Sequence, residues 1–600
     1  MGIRGWVRGV YMALMKGIGM KKTGFIGALA AVSVVLAACS GGGSGSSKAA
    51  DGGNKDAKGA AEVVNADGVQ YLKANYADLK QGGALRLPLG ELTAQQNRFQ
   101  QEMTADTDTL WDWYNPQISG FEANGEFAPN PNYLESATSE VVDGNTVVKY
   151  KLNPKAKFND DTPIDYQAFQ TTWKDNNGTD EGFIVNGTDG YSQIKSVEKG
   201  DTDQDVVVTF DGAYPWWQGL FNRVLHPAVN TPDVFNNAYK NNVKPEWGAG
   251  PYKVEEYSFQ NGTISFVPNE KWWGEKPKLD KVTFRAMDSQ ATINAFTNSE
   301  IDVAGVSTAE NLAAVEPMSD INIYTSMLPA NYMLTLNSAS DAFKDPKVRE
   351  AVMMGVDRSA IADVRFQGTG YKEDLPGSFI QFSTQPGYED NFSAVVKHDP
   401  EGAKKVLEEA GYTKNANGVF EKDGKPLSAR YVIFGDNQTT KAMATVVQQQ
   451  MKDLGIDLQI DSRASADFSS TMKNKDFDMV FSGFSSTDPF GVAYFGQIFY
   501  SPDAPLFSGL NKSGTGTPEL DAKIDALAKI SDPNEQIKQG NALEKEALAQ
   551  YGLLPVLNGP AQSAMKRDLA NFSTGSFRTN FVENVGYVEN APEWNGTQQK

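Results

Sequence analysis

The sequence predicts an α/β protein built from more than one lobe, and three observations carry that prediction. Helix and strand signals interleave along the chain instead of segregating into separate halves. Asn-Gly and Asp-Gly pairs recur between alternating apolar stretches, the pattern of tight hairpins. The chain has 600 residues, and its folding part exceeds what one hydrophobic core serves, so two or more lobes follow.

The amino terminus is of a different kind. Lys21 and Lys22 precede an apolar run from Phe25 to Leu36, and small residues lead to Cys39, the only cysteine in the chain. A positive start, a short apolar stretch and small residues before a cut are the marks of a secretory signal. The run is shorter than the ~20 apolar residues that a membrane-spanning helix needs. Residues 1–38 are therefore expected to be a leader, with Met20 available as an alternative start.

After Cys39, Gly, Ser, Ala, Lys and Asp dominate. Residues 39–81 are expected to form a tether, partly helical from Val63 to Leu79; about 40 residues of Gly-rich coil would span roughly 35 Å. Ala84 to Leu89 reads as the first strand of a domain. Hairpins are expected around Asp143-Gly144, Asn261-Gly262 and Asp423-Gly424, because these pairs accept the positive φ that such turns require. Asp345-Pro346 and Asp399-Pro400 each combine an N-cap with a proline at the first helical position, and Gly411 stops the second helix. From Lys441 to Leu454, Met443, Val446, Val447, Met451 and Leu454 keep helical spacing; Gly455 ends that helix, and Ile456 to Ile460 alternates as a strand.

Composition excludes several functions. The formal net charge is -20, and loss of residues 1–38, which hold two Arg, three Lys and no acid, takes it to -25. Such a chain repels phosphate backbones, so nucleic acid is not an expected partner. The two histidines, His226 and His398, lack partners at metal-ligand spacing, and no nucleophile elbow or P-loop occurs. The acid pairs Asp160-Asp161 and Glu255-Glu256 fall on turn or strand patterns where adjacent side chains diverge. Neither an enzyme nor a cofactor is expected.

Several segments taken in order resemble one family. Tyr150-Lys151-Leu152-Asn153-Pro154-Lys155-Ala156-Lys157-Phe158 with Asp161-Thr162-Pro163-Ile164 is the first. It is followed by Gly248-Ala249-Gly250-Pro251-Tyr252-Lys253 and Asn269-Glu270-Lys271-Trp272-Trp273. Phe343 to Ala351 with Asp357-Arg358 comes next, then Asp399 to Leu407 and Leu454-Gly455-Ile456. Together they resemble family five of the extracellular solute-binding lipoproteins of ABC importers, the dipeptide, oligopeptide and nickel branch. The segments around Tyr191 and Trp216-Trp217 are similar to actinobacterial members. Structural duties account for most of these motifs: a turn at Gly250-Pro251, core packing for Trp272-Trp273, a helix brace for Arg349.

The resemblance implies a two-lobed periplasmic-binding-protein-like fold of the large, type II peptide-binding kind. The first lobe would hold 82–306, with an extra subdomain at about 111–225. The second would hold 307–555, and 556–600 would return to the first. It implies a receptor that closes on an oligopeptide, or alternatively an oligosaccharide or other non-peptide solute, and delivers it to an ABC permease and its ATPase; a sensor or adhesion lipoprotein that binds without transport is the remaining reading. The tetrapeptide Leu36-Ala37-Ala38-Cys39 resembles a lipobox, which implies a lipid on Cys39 holding a monomer at the outer face of a Gram-positive membrane.

The resemblance also implies a site. In peptide-binding relatives a strand ending Gly-Trp-x-x-Asp pairs its backbone with the ligand, and its Asp holds the ligand ammonium. Here Gly483-Phe484-Ser485-Ser486 matches the start, Thr487 stands at the Asp position, and Asp488 follows. Asp488 either takes over the ammonium contact or caps the loop before Pro489. The first lobe is expected to add Gly90, Glu91 and Leu92, with Tyr191; Trp111, Trp113 and Tyr114 are further aromatic candidates.

Overall fold

The structure, a computed structural model, describes residues 3–4, 61–66, 68–435, 438–464, 467–486, 488–504, 511–575 and 577–596. It is α/β and two-lobed. In the first lobe, Ala84–Leu89 runs parallel to Lys281–Ala286, and Thr263–Pro268 and Tyr252–Ser258 continue the sheet outward antiparallel. A second sheet of this lobe pairs Val303–Gly305 and Ile321–Met327 with opposite edges of Pro560–Lys566. An antiparallel sheet, ordered Leu134–Val142, Asn145–Leu152, Asp205–Phe210 and Ile194–Lys199, forms the subdomain.

The second lobe is organised on a sheet ordered Asp457–Arg463, Ser428–Phe434, Met479–Ser486, Ala330–Leu336 and Leu553–Leu557. Helices cover it, and local chemistry explains their ends. Asp345 accepts from Lys347 N–H and Asp399 from Gly402 N–H, so both Asp-Pro pairs start helices, Pro346–Gly355 and Pro400–Glu409. Gly455, at φ +97°, ends Gln438–Leu454 and turns the chain into Asp457–Arg463. The tight turn at Asp143-Gly144 has positive φ at both residues, as does Asp423-Gly424. Arg349 braces its helix by donating to the Phe343, Lys344 and Gln550 carbonyls.

Two features differ from expectation. Glu62–Ala66 and Val69–Lys73 form an antiparallel hairpin, so this part of the expected tether is folded strand and not helix. Gln70 ties it down: its N–H donates to Ser326 Oγ at 2.9 Å, and its Oε1 accepts from Thr325 N–H at 2.8 Å. Val64 to Leu72 around Gly68 is a strand-turn-strand pattern; the Ala, Asp and Lys around it made the region look like linker. The passage between lobes also comes later than residue 307, because Ile321–Met327 still belongs to the first-lobe sheet.

The chain crosses at Leu328-Pro329 and returns at Asn558-Gly559. Leu328 N–H donates to Gly559 O, and Asn558 Nδ2 to Ala330 O at 2.6 Å. The Glu373 carboxylate accepts from Asn558 N–H, Gly559 N–H and Tyr371 Oη within 2.8–3.2 Å. Burial pushes its pKa up, and the two backbone N–H bonds work against that.

Candidate functional site

A cavity of 470 Å³ lies between the lobes. One wall is the helix Ala105–Tyr114, whose Thr104 cap is a reciprocal capping box. Asp108, Thr109, Asp112 and Trp113 sit one turn apart on the same face and line the cavity. Arg98 Nε meets Asp108 Oδ1 at 2.8 Å, and Arg223 Nε meets Asp112 Oδ1 at 2.6 Å. Arg223 also donates to the Ser119 and Asn222 carbonyls. Both guanidiniums are nearly buried, so their carboxylate partners are what makes them tolerable there. Phe572 to Gly575 and Phe577 to Asn580, from the returning segment, form a further wall.

The second lobe contributes Ser486 and Asp488. Strand Met479–Ser486 pairs from Met479 to Ser485 with Ala330–Leu336, and Gly483 is needed there because a Cβ would lie 2.5 Å from Asn331 O. On its other side it pairs with Tyr431 and Val432 only, through Met479 and Val480. From Phe481 onward that backbone edge is unpaired among the described residues, save at Ser485 and Ser486, where Ile3–Arg4 adds antiparallel. Asp488 is 3% exposed; its carboxylate accepts from Phe490 N–H at 2.9 Å and from Tyr494 Oη at 2.8 Å. Burial, with Asp488 beside it, holds the Tyr494 phenol well above its ordinary pKa, so it stays a donor.

The expected residues divide. Ser486 and Asp488 line the cavity, Ser485 lies on the same strand end, and Phe484 packs on Phe379 at 5.9 Å. Thr487 and Cys39 lie outside the described residues. Gly90, Glu91, Leu92 and Tyr191 are not among the lining residues. Gly90 and Glu91 donate their N–H groups to Asp106, and Leu92 belongs to the first-lobe core. Tyr191 is 2% exposed, and its hydroxyl accepts from Phe221 N–H. Trp111 and Tyr114 are core residues, whereas Trp113 lines the cavity. Arg98, Arg223 and Arg578 were not anticipated; each is an isolated basic residue in its own segment, far from the others in sequence.

Contacts across the mouth hold the lobes together. Trp216 Nε1 of the subdomain donates to Gln536 Oε1 of the second lobe at 2.5 Å. Phe490 packs against Trp216 at 5.3 Å and Phe121 at 5.5 Å, and Gln497 donates to Asp189. Gly219 lets the lobes approach, its missing Cβ being 3.1 Å from Tyr494 Oη and 3.3 Å from Asp488 Oδ2. Among the described residues no group of three or more His, Cys, Asp or Glu is placed to hold a metal ion. No helix there is long and apolar enough to cross a membrane.

A cavity between two α/β lobes, lined by polar and aromatic side chains, is the arrangement of a receptor that encloses a small solute. Residues 128–505 match the model of the bacterial extracellular solute-binding proteins, family 5, middle region, and the chain belongs to that family. It is 29% identical over 549 residues to the oligopeptide-binding protein OppA of Mycobacterium tuberculosis, covering 90% of each chain. Among solved structures, a periplasmic EDTA-binding protein, EppA, superposes with a TM-score of 0.77 at 24% identity, covering 85% of this chain and 97% of that one. The oligopeptide-binding protein AppA of Bacillus subtilis, in complex with a nonapeptide, gives 0.70 at 20% identity over 85% and 100%. The family is one of solute-binding proteins, not enzymes.

Proposed function

We propose that this chain captures oligopeptides between its lobes and delivers them to an ABC permease and its ATPase, held at the outer membrane face by a lipid on Cys39. The observation that carries the peptide reading is the backbone edge of Phe481–Ser486, which Ser428–Phe434 leaves uncovered beyond Val480 and whose end lines the cavity. Such an edge bonds to the amides common to all peptides and so tolerates many side chains. That Ile3–Arg4 adds there in extended form supports it. Asp488 then receives the ligand ammonium. Calorimetry with random tri- to pentapeptide mixtures, followed by small-angle scattering, tests the reading: binding with compaction is expected, and no binding heat at saturating peptide would sink it.

Closure must be worth differential affinity, about 5.5 kcal/mol to move from 1:99 to 99:1. Trp216 supplies part of that through its bond to Gln536 and its contact with Phe490. Trp216→Ala is expected to weaken peptide binding by about tenfold, the worth of one buried hydrogen bond and one aromatic contact. Calorimetry reads the affinity, and scattering should show a more open average shape at equal peptide. Cys39→Ser is expected to move the protein from the membrane fraction to the medium, as fractionation of the producing cells would record.

A further inference from the structure

The cavity is lined by three arginines, and two of them are neutralised by Asp108 and Asp112. Arg578 is different. Its Nη1 donates to Asn580 Oδ1 at 2.7 Å, Ser573 Oγ at 3.3 Å and Asn571 O at 3.4 Å, and its guanidinium lies 4.0 Å from the centre of the Tyr71 ring. Nε and Nη2 have no acceptor among the described residues, and Arg578 forms no ion pair with any of them. Arg349 and Arg358 are also held by oxygens other than carboxylates, but neither lines the cavity, whereas Arg578 does. Arg578 also lines a second cavity of 360 Å³ beneath the amino-terminal hairpin, with Tyr71, Tyr76, Glu122, Phe581 and Asn584, so the two spaces meet at this side chain.

We propose that Arg578 binds a carboxylate of the ligand through Nε and Nη2, where the interlobe cavity opens toward the hairpin. The geometry suits that role: three acceptors and the Tyr71 ring fix the guanidinium plane, and the remaining N–H pair is the fork that matches a carboxylate in two parallel bonds. The proposal rests on the peptide reading and makes it specific, since the carboxylate is then either the peptide's carboxyl terminus or an acidic side chain.

Calorimetry with three pentapeptide libraries tests it: free acids lacking Asp and Glu, the same sequences as carboxyl-terminal amides, and amides with one Glu. The wild-type protein is expected to bind at least one carboxylate-bearing library about tenfold or more tighter than the neutral amides, the size of a charge-assisted hydrogen bond. Preference for the free acids assigns the carboxyl terminus; preference for the Glu amides assigns a side chain. Arg578→Gln should erase the preference for the carboxylate-bearing library over the neutral amides, and Arg578→Lys should keep part of it. Equal binding of all three libraries by the wild type overturns the assignment and leaves the peptide reading standing, a comparison that needs no variant to fold. If no library binds, the peptide reading fails and the assignment with it.

Discussion

Asp488→Asn is expected to weaken binding of peptides with a free amino terminus by about 10- to 100-fold, with a smaller effect on stability, because asparagine matches aspartate in size and lacks its charge. Asparagine keeps a carbonyl oxygen for Phe490 N–H, and its amide can donate to the Tyr494 oxygen in place of accepting from it. The loop therefore keeps its cap. What disappears is the negative charge in a site 3% exposed, where an ammonium has little water to compensate it. Amino-terminally acetylated peptides should bind the wild type as weakly as free peptides bind the variant. If calorimetry finds the variant unaltered toward free peptides, Asp488 is a loop cap alone and the ammonium is met elsewhere.

A large stability effect is expected from Asp175→Asn. Asp175 lies on the helix Tyr166–Asn176, 2% exposed, with Oδ2 unpartnered among the described residues. Burial pushes its pKa from 3.8 up to about 8, against a small opposing pull from Lys174. The native state therefore holds a proton between these values that the unfolded chain has released, so stability from this group falls as pH rises and is fully lost above pH 8. At pH 7 the cost is on the order of 4 kcal/mol, at 1.36 kcal/mol per unit. Asparagine, close in shape to the protonated acid, removes it. Denaturant unfolding should show the variant more stable at pH 8, with the gap closing toward pH 4. Glu544, pushed by burial to about 7, has the same sign and keeps some of the slope in the variant. An unchanged gap across that range would refute the account.

Local chemistry was legible wherever a few neighbouring residues decide the outcome. Ala84–Leu89, both Asp-Pro helix starts and the Gly455 stop follow from side chains within a few positions of the event. The strand that ends at Ser486 was legible for the same reason: its apolar run and its loop are contiguous. The rest of the cavity was not. Arg98, Asp112, Arg223 and Arg578 come from four separate segments that the fold brings together, and none stands in a local pattern that marks it. Tyr191 erred in the opposite sense. Beside Gly190 at a turn it resembles an exposed ligand contact, yet it is spent on the Phe221 N–H in the core. The amino-terminal hairpin was hidden by composition, since its strands are short and its neighbours are those of a linker.

The carboxylate of Glu373 holds the returning crossing at Asn558-Gly559 without being among the residues that line the cavity. In kinetic terms it is a clasp on one of the two strands that join the lobes. Strain released or resisted there changes how long the closed form dwells, while the groups that choose the ligand stay as they were. Residence time and selectivity are thus set by different residues, and one can drift without the other.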